Sequence, residues 1–173
     1  VADAISHEVG HTLGLEHHGW SGGFLGLQRL DYYPGHGNWT PLMGSISGRQ
    51  LSHWSRAEYA GANQPQDDIA VMLTHGIGRL KDDHPNTTKN GTWLRRGATR
   101  NGVISTASDI DVFRFRTTKR CAVNVRVTNA VYGPNLDIAL TLRRAGTSAT
   151  VRANPTTANN NASQALDASI IGT

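Results

Sequence analysis

Four histidines and two glutamates lie within twelve residues of this chain, in the sequence HEVGHTLGLEHH of residues 7–18. His7 and His11 are four positions apart, and on an α-helix this spacing places both imidazoles on one face, one turn apart. Two imidazoles arranged in this way can bind the same metal ion. Glu8 follows His7 directly, so its carboxylate projects beside the two histidines, in a position that suits a general base.

A helix over residues 1–13 is predicted from apolar residues at helical spacing, namely Ile5, Val9 and Leu13. Gly14 can end this helix, because glycine adopts the left-handed conformation without steric cost. The chain can then turn back, so that His17 becomes a third imidazole ligand. Three neutral imidazoles with an open fourth position are typical of a catalytic zinc site, in which zinc activates a water molecule and Glu8 takes its proton. The alternative is a histidine-rich surface helix, but a match at five fixed positions is rare by chance.

The metzincin metalloendopeptidases have a zinc signature that this chain resembles at His7-Glu8-x-x-His11-x-x-Gly14-x-x-His17. This resemblance implies that the three histidines bind one catalytic zinc ion and that Glu8 is the catalytic base. It also implies a methionine-containing turn beneath the metal. Met43, in the sequence WTPLMGS, follows His17 by 26 residues and is expected to lie in that turn.

Two positions depart from the pattern of particular metzincin subfamilies. Some members carry a tyrosine two residues after the methionine as a movable zinc ligand, but this chain has Ser45 there, so we predict no such tyrosine. The residue after the third histidine is aspartate in the adamalysin and reprolysin-like group, whereas it is His18 here, which leaves the subfamily open. We expect an outward-facing or supporting role for His18 rather than a fourth ligand.

The elements between the zinc helix and the second half of the chain are predicted from composition. Residues 19–44 are rich in glycine and are predicted to form a long loop. A second helix is predicted in the sequence NQPQDDIAVML, with Pro65 in its first turn and with Asp67 and Asp68 at its positive N-terminus. The longer sequence SHWSRAEYAGANQPQDDIAVM of residues 52–72 resembles the segment that follows the methionine turn in secreted bacterial reprolysin-like proteases.

Strict alternation of apolar and polar residues marks three segments of the second half, DVFRFRT, AVNVRVT and NLDIALTLR. This pattern predicts strands with one face on a core. Turn sequences such as YGPN and RAGT separate the segments, as in a small antiparallel sandwich. The polar stretch GRLKDDHPNTTKNGT is predicted to link two domains, which we assign to residues 1–80 and 81–173.

The second domain resembles the bacterial pre-peptidase C-terminal domain, a β-sandwich appended to secreted proteases, at Asp82-Asp83-His84, Gly102-Val103-Ile104, Asp109-x-Asp111-x-Phe113-x-Phe115 and Asn135-Leu136-Asp137. Asp109, Asp111 and Asp137 suggest a calcium site, but turn residues and solvent-facing strand positions are the favoured interpretation. The predicted fold class is therefore α+β. It combines the C-terminal half of a metzincin catalytic domain (zinc helix, methionine turn and C-terminal helix) with an incomplete antiparallel β-sandwich.

Composition excludes several other classes of function. The one cysteine, Cys121, excludes a disulfide or a cysteine-based zinc site within these 173 residues. No stretch approaches the roughly 18 apolar residues that a membrane helix needs. The net charge of +4 comes from scattered lysines and arginines, which favours a solvated surface over a nucleic-acid interface. We therefore expect no nucleic-acid or membrane partner. The resemblance to the metzincins implies a protein or peptide substrate, and we expect a monomer.

The sequence thus predicts a zinc-dependent endopeptidase. The resemblance implies secretion. The chain opens within a predicted helix and closes at the start of a predicted strand, which predicts a fragment truncated at both ends. Because metzincins hold the substrate main chain on an upstream sheet, such a fragment is expected to cleave weakly. Two alternatives remain open. One is a β-sandwich targeting or binding module with a degenerate protease half, and the other is a zinc hydrolase that acts on a non-peptide bond.

Overall fold

The structure is a computed structural model that describes residues 1–46, 48–147, 149–154 and 168–172. Within these residues it contains two α-helices, α1 (Ala2–Thr12) and α2 (Asp68–Thr74). The strands are β1 (Trp20–Gly22), β2 (Gln28–Leu30), β3 (Trp39–Pro41), β4 (Leu51–His53), β5 (Thr92–Trp93), β6 (Phe113–Arg114), β7 (Val123–Val127), β8 (Leu140–Arg143), β9 (Thr150–Asn154) and β10 (Ala168–Gly172). This mixture of helices and strands confirms the predicted α+β class. Neither helix is long and apolar enough to cross a membrane.

The strands of the described ranges pair two by two rather than in larger sheets. The pairs are β1–β2, β3–β4, β5–β6, β7–β10 and β8–β9. By contacts between Cα atoms the chain forms two compact units. The first includes Val1–Ile77 and Arg126–Leu140, and the second includes Gly78–Val125 and Thr141–Ala153. A closed sandwich is therefore not seen in the part of the chain that the structure describes, and the sandwich remains a prediction.

α1 ends in a hydrogen-bonded turn that reverses the direction of the chain. Gly14 has a φ of 79°, and its N–H donates to the carbonyl of His11 at 3.0 Å. The N–H of Leu15 donates to the carbonyl of Gly10 at 3.1 Å. These two bonds define a Schellman motif, which satisfies carbonyls that the helix end would otherwise leave without donors. The predicted helix of residues 1–13 and its end at Gly14 are thus confirmed to within one residue.

The buried face of α1 is the one that carries His7 and Gly10. Ile5 and Val9, on the face predicted to be apolar, are instead 59% and 47% exposed. Gly10 is buried because its missing side chain lets Met43 approach the helix: a Cβ atom there would lie 2.7 Å from the Met43 sulfur. Met43 itself is fully buried in a small core whose other members are Leu15 and Met72, with Leu13, Trp54, Ile69 and Val71 packed against them.

Gly10→Ala is expected to destabilise the protein by about 1 kcal/mol. Alanine has the higher helix propensity, but the added methyl would also lie 3.2 Å from Leu15 and from Trp54, and overpacking a buried contact costs more than the propensity returns. Urea denaturation would measure the loss. Gly78→Ala is the control, because a Cβ there meets no atom within 4 Å. Equal or greater stability of the Gly10→Ala variant would contradict the packing described here.

The predicted loop of residues 19–44 contains three short strands. β1 and β2 form an antiparallel hairpin in which Trp20 pairs with Leu30. Gly23 and Gly26, with φ of 75° and 68°, allow the tight connection between them. β3 pairs in parallel with β4 in the register Thr40 to Ser52. The prediction of an uninterrupted loop was wrong, because strands of three residues are too short for alternation to reveal them.

α2 begins one residue after Asp67, which is its N-cap. The side chain of Asp67 accepts a hydrogen bond from the N–H of Ala70 at 2.9 Å, as an N-cap aspartate should. The predicted place of Asp67 and Asp68 at the start of this helix is confirmed. Pro65 lies outside the helix, two residues before the N-cap, so its predicted place in the first turn was wrong.

The alternating segments of the second half are confirmed in part. β7 and β8 alternate half-buried apolar residues with exposed polar ones, as predicted. The segment that begins at Asn135 becomes a strand only from Leu140. Asn135 instead extends the edge of β4, because its side-chain oxygen accepts from the N–H of Ser52 at 2.8 Å and its side-chain nitrogen donates to the Ser52 carbonyl. The Asn135 amide thus makes hydrogen bonds of the kind that a neighbouring strand would make, and the alternation of apolar and polar residues could not predict this contact.

Candidate metal centre

The side chains of His7, His11 and His17 meet at one place in the first unit. The ring nitrogens that they offer lie within 4.8 Å of one another. The ring centroids are 4.9 Å apart for His7 and His11, and 4.6 Å apart for His11 and His17. α1 supplies the first two rings, and the segment that turns back after Gly14 supplies the third. The structure therefore brings together the three histidines that the sequence analysis selected, and this cluster can hold a metal ion.

Backbone carbonyls fix the orientation of two of these rings. Nδ1 of His7 donates to the carbonyl of Leu42 at 2.8 Å, and Nδ1 of His11 donates to the carbonyl of Leu15 at 2.8 Å. Because a carbonyl can only accept, the proton of each neutral ring lies on Nδ1, and Nε2 keeps its lone pair. Hydrogen bonds of this kind orient the histidine ligands of metal sites. The residue before Met43 and the residue after Gly14 thus orient the rings of His7 and His11.

His17 joins the cluster through a hydrogen bond between its ring and the ring of His11. The two Nε2 atoms are 2.9 Å apart, and since Nε2 of His11 carries no proton, Nε2 of His17 donates. The pKa of His17 is lowered, chiefly by burial and then by His11 and His7, while Asp31 and Glu8 act in the opposite direction. A lowered pKa favours the neutral imidazole, which is the form that binds a metal.

The donor set fits zinc. Zinc bonds to histidine nitrogen at about 2.0–2.1 Å with tetrahedral geometry, which places two ligand nitrogens about 3.3 Å apart. The 2.9 Å between the Nε2 atoms of His11 and His17 is a few tenths of an ångström shorter, so a small separation of the rings would accommodate the ion. The described residues add no thiolate and no carboxylate to this cluster. Three neutral nitrogens leave room for a fourth ligand from solvent or substrate.

Glu8 and Met43, the two other residues predicted for the site, differ in burial. Glu8 is exposed on α1, and its carboxylate is near enough to influence the pKa of His17. Met43 is fully buried and lies in a turn closed by a hydrogen bond from the N–H of Gly44 to the carbonyl of Pro41 at 2.9 Å. The carbonyl of Met43 accepts from the N–H of His18 at 2.9 Å, which connects this turn to the residue that follows His17.

His18 faces away from the cluster and into the protein. It is fully buried, and its Nε2 donates to Oδ1 of Asp68, also fully buried, at 2.9 Å. Oδ2 of Asp68 accepts from the N–H of Ser55 at 2.9 Å, and Oδ1 also accepts from the side-chain amide of Gln66 at 2.8 Å. The expected supporting role is therefore supported by geometry, whereas an outward orientation is excluded. The residue next to His17 is therefore held by the first residue of α2.

Two tyrosines hold the same backbone segment. The N–H of Tyr33 donates to the carbonyl of His18 at 2.8 Å, and the hydroxyl of Tyr59 donates to the carbonyl of Gly19 at 2.6 Å. The two tyrosine rings stack with their centroids 4.0 Å apart. Burial, followed by the influence of Tyr33, raises the pKa of Tyr59 to about 12, so its hydroxyl remains a donor at neutral pH.

Tyr32 is a residue of the site that sequence reasoning missed. Its ring centroid lies 4.2 Å from that of His17, and its side chain is 46% exposed. The neighbouring Asp31 lines a cleft together with His11, His17 and Glu16. In the sequence, Tyr32 is one of several aromatic residues in a glycine-rich stretch, and no spacing rule relates it to the histidines. Only the fold places its phenol beside His17.

Comparison of this chain with models of known protein families, with curated proteins and with solved structures found no match. The function proposed below therefore rests on the residues of the site, on their geometry and on the resemblance of their spacing to the metzincin signature.

Proposed function

We propose that this protein is a zinc-dependent endopeptidase in which His7, His11 and His17 bind one zinc ion and Glu8 is the general base. The observation that carries this proposal is the three-histidine cluster, with its nitrogens within 4.8 Å of one another and two of its rings oriented by carbonyls. Met43 is buried against Gly10 of α1, the helix that carries His7 and His11. We propose that the turn around Met43 is the counterpart of the methionine turn in the metzincins that the sequence resembles.

The chemistry follows from the positions of these side chains. When bound, zinc supplies a Lewis acid that polarises a peptide carbonyl and makes water more acidic. A carboxylate oxygen of Glu8 accepts a proton from the attacking water, whose oxygen bonds to the carbonyl carbon. Glu8 then passes this proton to the peptide nitrogen as the carbon–nitrogen bond breaks, which releases an amine and a carboxylic acid, and the acid loses its remaining proton to solvent at neutral pH. Residues His7, His11 and His17 remain neutral throughout and act only as ligands.

Residues 81–173 are proposed to form an appended β-sandwich of the pre-peptidase C-terminal type, and the protein is proposed to be secreted. Both proposals rest on the resemblance, and the alternation of β7 and β8 supports the first of them. One face of each strand is half-buried and the other is exposed, as in a sheet that packs against a core on one side.

Metal removal tests the proposed activity. The protein is incubated for a long period with a mixed peptide library, and cleavage is followed by mass spectrometry. We expect weak cleavage that 1,10-phenanthroline abolishes and that zinc restores. Cleavage that persists after chelation would contradict the zinc mechanism. Absence of any peptide cleavage by the zinc-loaded protein, with hydrolysis of an ester or amide of another class, would favour the non-peptide hydrolase.

A further inference from the structure

The ring of His17 is held differently from the rings of the other two proposed zinc ligands. Nδ1 of His7 and Nδ1 of His11 each donate to a backbone carbonyl, and such a bond fixes the orientation of the ring. Among the described residues, the ring of His17 makes one hydrogen bond, which it donates to Nε2 of His11 at 2.9 Å. No carbonyl or carboxylate of these residues accepts from it, so its orientation depends on other contacts.

The hydrogen bond between His17 and His11 is incompatible with bound zinc. Because Nδ1 of His11 donates to the carbonyl of Leu15, Nε2 is the nitrogen of this ring that remains for a metal ion. Nε2 of a neutral imidazole has a single lone pair, and in this structure that lone pair accepts the proton of His17. Zinc and the proton therefore compete for it. A bound ion would leave the ring of His17 with packing contacts alone.

Tyr32 makes the closest ring contact to His17 among the described residues. The two ring centroids are 4.2 Å apart, and the ring planes are tilted by 43°. The corresponding distances to His17 are 4.6 Å from His11 and 5.3 Å from His7. The ring of Tyr32 also lies 6.3 Å from that of His7, with an angle of 27° between the planes. Aromatic rings at these separations attract each other through dispersion and through the charge distribution of their π systems.

Backbone hydrogen bonds of the neighbouring residue place Tyr32 beside His17. The N–H of Tyr33 donates to the carbonyl of His18 at 2.8 Å, and the carbonyl of Tyr33 accepts from the N–H of Ser45 at 2.9 Å. Tyr32 and His17 are the residues that precede Tyr33 and His18 in the two bonded segments. The position of the Tyr32 ring is thus set by bonds that do not involve the ring itself, so a change of this side chain leaves them intact.

The contacts of Tyr32 are with the histidines and not with the core. Its side chain is 46% exposed, and it lies outside the core formed by Leu15, Met43 and Met72. A side chain with this much exposure contributes little to the free energy of folding through burial. Loss of its ring is therefore expected to affect the site more than the stability of the protein.

We propose that Tyr32 is a positioning residue whose ring packs against His17 and holds its imidazole in the orientation that binds zinc. This packing takes the place of the carbonyl partners that orient His7 and His11. The inference rests on the proposed zinc site and names the group that orients its third histidine. The ring carries this role and the hydroxyl does not, because the observed contact is between the two rings.

The zinc affinity of ring variants tests this inference. The Kd for zinc is measured by competition with a chromophoric chelator for the unmodified chain, Tyr32→Ala and Tyr32→Phe. Phe24→Ala is the matched control, because Phe24 is an aromatic residue between β1 and β2 of the same hairpin and is 84% exposed. We expect Tyr32→Ala to bind zinc about tenfold more weakly, the lower end of the effect of removing a group that orients a metal ligand. Tyr32→Phe and Phe24→Ala should bind zinc as the unmodified chain does.

Two results of these titrations would overturn the inference. One is an unchanged zinc affinity of Tyr32→Ala. The other is an equally large loss in Tyr32→Ala and Tyr32→Phe, which would assign the role to the hydroxyl. Urea denaturation of the metal-free proteins separates positioning from stability, and the free energies of unfolding of Tyr32→Ala and Phe24→Ala are expected to be similar. A much lower value for Tyr32→Ala would also overturn the inference.

NMR spectroscopy of the metal-free chain tests the ring contact without zinc. We expect nuclear Overhauser effects between the ring protons of Tyr32 and those of His17 in the unmodified chain. The ring protons of His17 should change chemical shift in Tyr32→Ala, because the ring current of Tyr32 is lost, and should keep their shifts in Phe24→Ala. Absence of these effects would overturn the inference alone, whereas absence of zinc binding by the unmodified chain would contradict the proposed function.

Discussion

Glu8→Gln is expected to lower the rate of peptide hydrolysis by about 10²–10⁴-fold, the contribution typical of a general base, while the protein keeps its zinc. Glutamine is nearly isosteric with glutamate and cannot accept a proton at neutral pH. Glu8 is exposed on α1, so the change removes no buried contact and leaves the helix intact. The histidines keep their carbonyl partners, because neither Leu42 nor Leu15 is altered.

The measurement is initial rate against the same peptide for zinc-loaded proteins whose metal content is determined in parallel. Asp3→Asn is the matched control, since it removes another exposed carboxylate from the same helix and leaves the one beside the histidines. We expect the control to cleave at the original rate. A Glu8→Gln variant that cleaves as fast as the control would assign the proton transfer to another group.

Asp68→Asn is expected to destabilise the protein by about 3 kcal/mol, the scale of breaking a buried pair by changing one partner. Asp68 and His18 are both fully buried, and the two oxygens of Asp68 accept from three donors: Nε2 of His18, the N–H of Ser55 and the amide of Gln66. Asparagine replaces one of these oxygens with an NH₂ group, so at least one buried donor loses its acceptor. Because His18 is bonded to His17 along the chain, we also expect weaker zinc binding.

The adjacent Asp67→Asn variant is a sharp control for this prediction. Asp67 caps α2 through a bond to the N–H of Ala70, and asparagine is about as good an N-cap as aspartate. Both variants remove one negative charge from the same end of the same helix. In urea denaturation of the metal-free proteins, the free energies of unfolding of the two variants should therefore differ by nearly the whole contribution of the buried His18–Asp68 pair. Equal stability would show that the His18–Asp68 contact contributes little.

The local part of the site could be predicted from the sequence because it depends on short-range geometry. The spacing of His7 and His11 sets two rings on one helix face, and Gly14 adopts the left-handed conformation that the turn to His17 requires. The Schellman bonds of Gly14 and Leu15 then follow from the helix end itself. His7, His11 and His17 are four to ten positions apart, so their relative positions are set mainly by the local backbone of α1 and the turn that follows it.

The long-range part of the site could not be predicted in this way. His18 and Asp68 are 50 residues apart, and nothing in their spacing indicates that both are buried against each other. Tyr32 reaches His17 only because the β1–β2 hairpin returns the chain to that place. The spacing of Ile5 and Val9 gave a wrong prediction of the buried face of α1. Which face is buried depends on the close approach of the turn around Met43 to Gly10.

The most direct test of the central claim is zinc per chain, measured by elemental analysis after dialysis of the zinc-loaded protein against a metal-free buffer. The unmodified chain and the control His75→Ala, which lacks an exposed imidazole outside the cluster, are expected to retain about one zinc ion each. His17→Ala should retain almost none, because two imidazoles on one helix bind zinc far more weakly than three. Equal zinc in His17→Ala and in the unmodified chain, or no zinc in either, would contradict the three-histidine site.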